Sequence, residues 1–127
     1  MKVILPILFT LMLLSGCAAP ADGYRQISMQ DARDLMKEET NYILLDVRTP
    51  EEFAAGHIPG AVNIPNESIG AGGIPALPDK DQLILVYCRS GNRSKQASKK
   101  LAALGYTNVV EFGGIREWPG EVVTGSH

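Results

Sequence analysis

Apolar and polar positions follow several distinct patterns along this chain, beginning with an unbroken apolar run from Val3 to Leu14 behind Met1-Lys2. Further on, Met29, Ala32, Leu35 and Met36 recur at helical spacing behind Ser28 and Asp31, a capping pair, and predict a helix over 29–38. Tyr42 to Val47 is apolar except for Asp46, the signature of a strand buried on both faces, as in parallel sheets. Thr49-Pro50-Glu51-Glu52 combines an N-cap, a proline at the first helical position and a glutamate able to reach back, so a short helix follows, with Gly56 as its stop. Residues 61–64 form a short strand, and the Gly/Pro-rich stretch 66–79 reads as a surface loop with one helical turn. Residues 82–87 are a second buried strand. The helix after it ends near Leu104, with Ala97, Leu101 and Leu104 on one face and Gly105 in the stopping position. Val109 to Phe112 is the last strand, Gly113-Gly114 turns the chain, Ile115 to Trp118 packs back on the core, and the end at Gly125-Ser126-His127 frays. Strands separated by crossover helices imply an α/β fold, a mostly parallel sheet with helices on both faces.

The leading run reads as an export signal, since it is too short for a bilayer core that needs roughly 20 apolar residues. Leu14-Ser15-Gly16-Cys17 resembles the bacterial lipobox, in which the signal is cut before a diacylated cysteine. That resemblance implies a lipoprotein held to a membrane through Cys17, on the periplasmic or another extracytoplasmic face of the cell envelope. The alternative is an ordinary cleaved signal beside a chance cysteine. The expected organisation is a signal peptide over 1–16, a lipidated tether over 17–24, the folded domain over 25–122 and a flexible tail over 123–127.

Composition narrows the function. The chain has 127 residues, 45% of them hydrophobic, and a net charge of −2. That describes a single folded domain and argues against a nucleic-acid binder that works by neutralising phosphates. Two cysteines cannot make a disulfide scaffold. With Cys17 acylated, Cys88 stands alone in an oxidising compartment, so it is either a small buried hydrophobe or a reactive thiol.

The context of Cys88 favours reactivity. In open parallel sheets, ligand sites lie beyond the carboxyl ends of strands, where loops enter helices. Cys88 ends such a strand, and the N–H groups from Arg89 through Ser90, Gly91, Asn92 and Arg93 to Ser94 can turn inward around an anion. Gly91 permits the curvature. Arg89 and Arg93 stand at a helix start, where cations are normally disfavoured, a placement that favours anion binding. These features predict a Cys88 pKa below its reference value. Lys95, Lys99 and Lys100 read as a solvated face. Asp46 is expected to pair with an arginine in a structural role, with Arg48 supporting the site beside it. His57 has no second histidine nearby in sequence, so a fold-stabilising hydrogen bond is expected and no metal site. Gly70 to Gly73 lacks the context of a phosphate loop and reads as a flexible connection.

Three separated segments together resemble the rhodanese-like sulfurtransferases. Leu44-Leu45-Asp46-Val47-Arg48-Thr49-Pro50-Glu51-Glu52-Phe53 with Gly56-His57-Ile58-Pro59-Gly60-Ala61 looks like that family's N-terminal signature. Tyr87-Cys88-Arg89-Ser90-Gly91-Asn92-Arg93-Ser94 looks like its active-site loop, and Gly113-Gly114-Ile115-Arg116-Glu117-Trp118 like its closing segment. The resemblance implies a three-layer α/β sandwich around a five-stranded, mostly parallel sheet, with no cofactor. It further implies that Cys88 takes sulfur from a small anionic donor and passes it to cyanide or a thiol. The arginines in the loop point to thiosulfate, with Arg89 to Ser94 as the substrate-binding residues. Cysteine phosphatases of related architecture carry Cys-x5-Arg, whereas Arg93 follows Cys88 after four residues. The shorter ring suits a sulfur atom, and it makes phosphatase or arsenate reductase activity a minor alternative. The main alternative is a lipid-tethered carrier that relays persulfide sulfur to a partner. A thioredoxin-like reductant and a monomeric state complete the expected partners.

Overall fold

The computed structural model describes residues 22–126. The expected signal peptide, Cys17 and the first part of the tether lie outside the described residues, as does His127. Five strands form one wholly parallel sheet: β1 (Arg25–Gln26), β2 (Tyr42–Asp46), β3 (Val62–Asn63), β4 (Leu83–Cys88) and β5 (Val109–Gly114). Their spatial order is β1-β5-β4-β2-β3, so the two strands richest in apolar residues, β4 and β2, are paired near the centre. Three helices cover the sheet: α1 (Met29–Glu38), α2 (Pro50–Ala55) and α3 (Asn92–Ala103). The expected three-layer α/β fold is the observed one.

Alternation along each strand assigns residues to two cores. Leu45, Ile84, Val86, Cys88 and Val109 face α3, where they meet Ala97 and Leu101. Leu44, Leu85, Tyr87, Val110 and Phe112 face the other layer, where they meet Ala32 of α1 and Phe53 of α2. Burying one leucine of this kind contributes roughly 1.5–3 kcal/mol, so the one apolar stripe on α3 suffices to seat it. The N-termini are fixed locally. Ser28 Oγ accepts the Asp31 amide at 3.0 Å, and Thr49 and Glu52 close a complete capping box on α2.

Several boundaries differ from the sequence expectation. The tether expected over 17–24 ends on Tyr24, whose side chain is buried in the α3-side core and leads into β1. The stretch read as a surface loop over 66–79 contains its helical turn at Asn66–Ser68, but Ile69 and Leu77 are buried and pin it to the core. The last strand continues through both glycines to Gly114 instead of turning at them. Within the tail expected to be flexible over 123–127, Val123 and Gly125 are held by backbone bonds. Val123 exchanges two backbone hydrogen bonds with His57, at 2.8 and 2.9 Å, and the Gly125 amide donates to the Ala54 carbonyl. No helix among the described residues is long and apolar enough to cross a membrane.

Candidate active site

Parallel strands point all their carboxyl ends the same way, so Asp46, Cys88 and Gly114 finish at one edge of the sheet. Beyond β4 the chain turns through Arg89-Ser90-Gly91 into α3. Gly91 has φ +107°, which a side chain would strain. The return of β5 lies directly under this turn: a Cβ on Gly114 would stand 2.0 Å from the Arg89 carbonyl oxygen, so only glycine fits there. The Arg116 amide donates to that same carbonyl and fastens the turn from below.

Cys88 sits at the base of the turn, 1% exposed. The Gly91 amide donates to its sulfur at 3.0 Å, and Ser94 Oγ lies 3.4 Å away. Burial by itself pushes the thiol pKa up. Hydrogen bonding by the Ser94 hydroxyl and the amides of Ser94, Gly91 and Ser90 outweighs it, and the net shift is downward, toward thiolate. Arg89, Ser90 and Asn92 are exposed around the mouth of the turn, whereas Ser94 is wholly buried within it.

The two loop arginines are not equivalent. Arg93 is engaged by Glu52 of α2 through a two-pronged pair, Nη1 to Oε1 at 2.7 Å and Nη2 to Oε2 at 3.0 Å. The Arg93 hydrogen bonds hold the Glu52 carboxyl at a pKa of about 2. In return Glu52, together with the charge on Cys88, raises that of Arg93. Part of the positive charge expected at the loop is therefore already matched, and the guanidinium is held against α2. Glu52 also accepts the Thr49 amide at 3.1 Å, so one carboxylate caps α2 and orients Arg93.

Asp46 and Arg48 lie apart from the sulfur, as a buried ion pair. Asp46 accepts the Arg48 amide at 2.9 Å and the guanidinium at 2.6 Å, and Arg48 Nη2 reaches the Gly56 carbonyl at 2.7 Å. This pair shapes the entrance to α2, and hence the position of Glu52. His57 stacks on Phe53 with ring centroids 3.7 Å apart, and its Nδ1 lies 2.8 Å from the Phe53 carbonyl oxygen. Lys100, expected to be solvated, donates to the carbonyl and side-chain oxygens of Asn66 and ties the 66–68 turn to α3. No group of three or more potential metal ligands occurs among the described residues.

Two carboxylates at this site escaped sequence reasoning. Glu52 reads from sequence as a capping residue and as part of the N-terminal signature, with nothing to link it to Arg93. Glu111 falls within the strand expected over 109–112, and its one visible signal is a charged residue at a core-facing position of an apolar strand. It is 2% exposed and accepts the Ser94 hydroxyl at 2.5 Å.

Comparison with known proteins agrees with this architecture. The family model described as rhodanese-like domain matches residues 28–121. The Escherichia coli (strain K12) protein named thiosulfate sulfurtransferase PspE is 40% identical over 73 residues, which are 58% of this chain and 70% of that one. Thiosulfate sulfurtransferase 16, chloroplastic, of Arabidopsis thaliana is 39% identical over 103 residues, 72% of this chain and 84% of that protein. Among solved structures, one described as rhodanese with anions from E. coli superposes with a TM-score of 0.61 at 37% identity, covering 66% of this chain and 99% of that one.

Proposed function

The chain belongs to the rhodanese-like domain family, among relatives named thiosulfate sulfurtransferases, and from that premise we propose that it moves a sulfane sulfur from thiosulfate to cyanide or a thiol through a persulfide on Cys88. The observation that carries the reading is the cradle itself. A single buried sulfur receives the Gly91 amide at 3.0 Å and has its ionised form favoured by three loop amides and a hydroxyl.

Two displacements follow. The Cys88 thiolate attacks the outer sulfur of thiosulfate, a sulfur–sulfur bond forms as the original one breaks, and sulfite leaves with the bonding pair. The resulting persulfide anion is then attacked at its outer sulfur by cyanide or a thiolate, which restores the Cys88 thiolate. Charge is conserved in both steps, so the site needs no proton donor for turnover. Its task is to hold negative charge, which the loop amides do for the sulfur while Arg89 and Arg93 do so for the departing dianion. Because Glu52 occupies two of the Arg93 nitrogens, the exposed Arg89 carries more of the substrate's charge than its partner does. Export and acylation at Cys17 belong to the same proposal, on the sequence motif alone.

The test is one assay with a mass readout on the full chain. Thiosulfate should add about one sulfur mass to the protein, cyanide should remove it as thiocyanate, and Cys88→Ala should do neither. Thiocyanate formation that survives the substitution overturns the nucleophile. Persulfide that forms fully but turns over slowly with cyanide identifies a carrier rather than a fast enzyme. The intact mass of membrane-extracted protein should carry acyl groups on Cys17, and unmodified soluble protein rejects the anchor.

A further inference from the structure

Glu111 lies on the face of β5 that α3 covers, level with Val86 of β4, and is buried. Neither ion pair among the described residues includes it. One of its oxygens, Oε2, accepts both the Ser94 hydroxyl at 2.5 Å and the Gly113 amide at 3.0 Å. The Ser94 hydroxyl has one proton and four neighbours: Glu111 at 2.5 Å, the Gly91 carbonyl at 3.0 Å, and the Gly113 carbonyl and Cys88 Sγ at 3.4 Å each. A hydroxyl donates once, and 2.5 Å is the separation of a charge-assisted O–H···O⁻ bond.

We infer that Glu111 is a positioning residue for Cys88, one that competes with the sulfur for the single Ser94 hydroxyl proton and so limits how firmly the loop holds the thiolate. The inference deepens the proposed reaction and rests on Cys88 as its nucleophile. Its chemical sense follows from the two roles of that sulfur. A thiolate stabilised by every available donor would ionise readily but attack weakly, because nucleophilicity falls as the thiol becomes more acidic. By competing for one donor, Glu111 keeps the attacking sulfur more basic than the loop's donors alone would leave it. The charged groups facing this system are few. Arg93, paired with Glu52, feels the charges of Cys88 and Glu67; Lys95 of α3 and Glu117 of the closing turn line, with Glu111, a groove of about 380 Å³. The start of α1, which borders the same groove, contributes the uncharged Ser28 and Met29.

The experiment is alkylation of Cys88 by iodoacetamide as a function of pH in the full chain, read by mass on the peptide that carries it. Glu111→Gln retains an acceptor for Ser94 and Gly113 but removes the charge that draws the proton. Its alkylation midpoint should fall by about one pH unit, and its limiting rate at high pH should drop roughly threefold, as a Brønsted slope of about 0.4–0.5 requires. Glu111→Asp should return the midpoint toward wild type. In a Ser94→Ala background the shift should shrink to less than half. A midpoint that is unchanged or rises in Glu111→Gln overturns the inference, since a purely structural role would slow the reaction without making the thiol more acidic. If Glu111→Gln does not fold, infrared difference spectra of the wild type replace it. Ionising Cys88 should shift a buried carboxylate band, with Cys88→Ala as the blank, and absence of the shift also overturns the inference. Failure of sulfur transfer with this titration intact rejects the reaction and not the coupling; the reverse result rejects only the coupling.

Discussion

At the end of β2, Asp46 is saturated: it takes the backbone amide and guanidinium of Arg48, and Arg48 spends what remains on the Gly56 carbonyl. At the end of β4, the neighbouring strand, Cys88 is also buried, but what surrounds it is a surplus of donors aimed at one soft atom. Both positions place charge where water is scarce. In the first, every demand is met by a fixed partner, so the group has nothing left to offer a ligand and serves the scaffold. In the second, the donors are organised for a charge that appears when the thiol ionises. An anion-seeking site is thus distinguished from a structural one by unmatched donors rather than by burial or polarity.

The contrast predicts opposite losses at the two ends. Asp46→Ala leaves the Arg48 guanidinium buried without its counter-ion, which costs about 3–5 kcal/mol. It should move the urea midpoint far more than any change at Cys88. Cys88→Ala should cost on the order of 1 kcal/mol, typical of losing a small buried group, yet abolish sulfur transfer. Similar stability losses in the two variants would break the comparison, because Asp46 would then be no more structural than the sulfur.

A second substitution tests how rigidly the donors are held. Gly114→Ala places a methyl group against the Arg89 carbonyl and the Ser90 amide, neither of which is the end of a flexible side chain. The turn must lift off β5. The expected loss is about 1–3 kcal/mol, the usual cost of overpacking, together with an upward shift of the Cys88 alkylation midpoint as the amides leave the sulfur. A destabilised protein with an unshifted midpoint would show that the turn keeps its shape without support from β5.

Parts of this arrangement were legible in the chain and parts were not, for identifiable reasons. β2 and β4 are continuous apolar runs because both of their faces are covered, and the turn after Cys88 announces itself by a glycine and two cations where a helix begins. β1 carries no such signal. Arg25 and Gln26 are exposed, and they count as a strand only through backbone pairing with β5. The tail at Val123 is likewise held by backbone bonds to His57, which leave no trace in side-chain pattern. Glu52 and Glu111 were missed for another reason. Their partners stand 41 and 17 residues away, so only the fold brings Glu52 to Arg93 and Glu111 to Ser94. Cysteine, loop and scaffold could be read locally; the carboxylates that tune them could not.

The smallest expected effect concerns the Glu52–Arg93 pair, which is intermediate between the two regions, being matched like Asp46–Arg48 but partly open to solvent. Glu52 titrates at about 2 in the folded protein against roughly 4.3 in an unfolded chain. Its folded pKa is depressed, so the unfolded chain binds more protons between these values and stability rises with pH there. The pair's contribution should be complete above about pH 4.3 and lost as the pH drops toward 2. Glu52→Gln isolates the charge, since glutamine can still close the capping box with Thr49. With its side chains about 30% exposed, such a pair contributes no more than about 1 kcal/mol. Urea titrations at pH 5.5 and 2.5 should therefore show a gap between wild type and Glu52→Gln of that order at the higher pH and a much smaller one at the lower. A gap of equal size at both would mean that the carboxylate acts through its shape and its cap, and that Arg93 is oriented by something other than its charge.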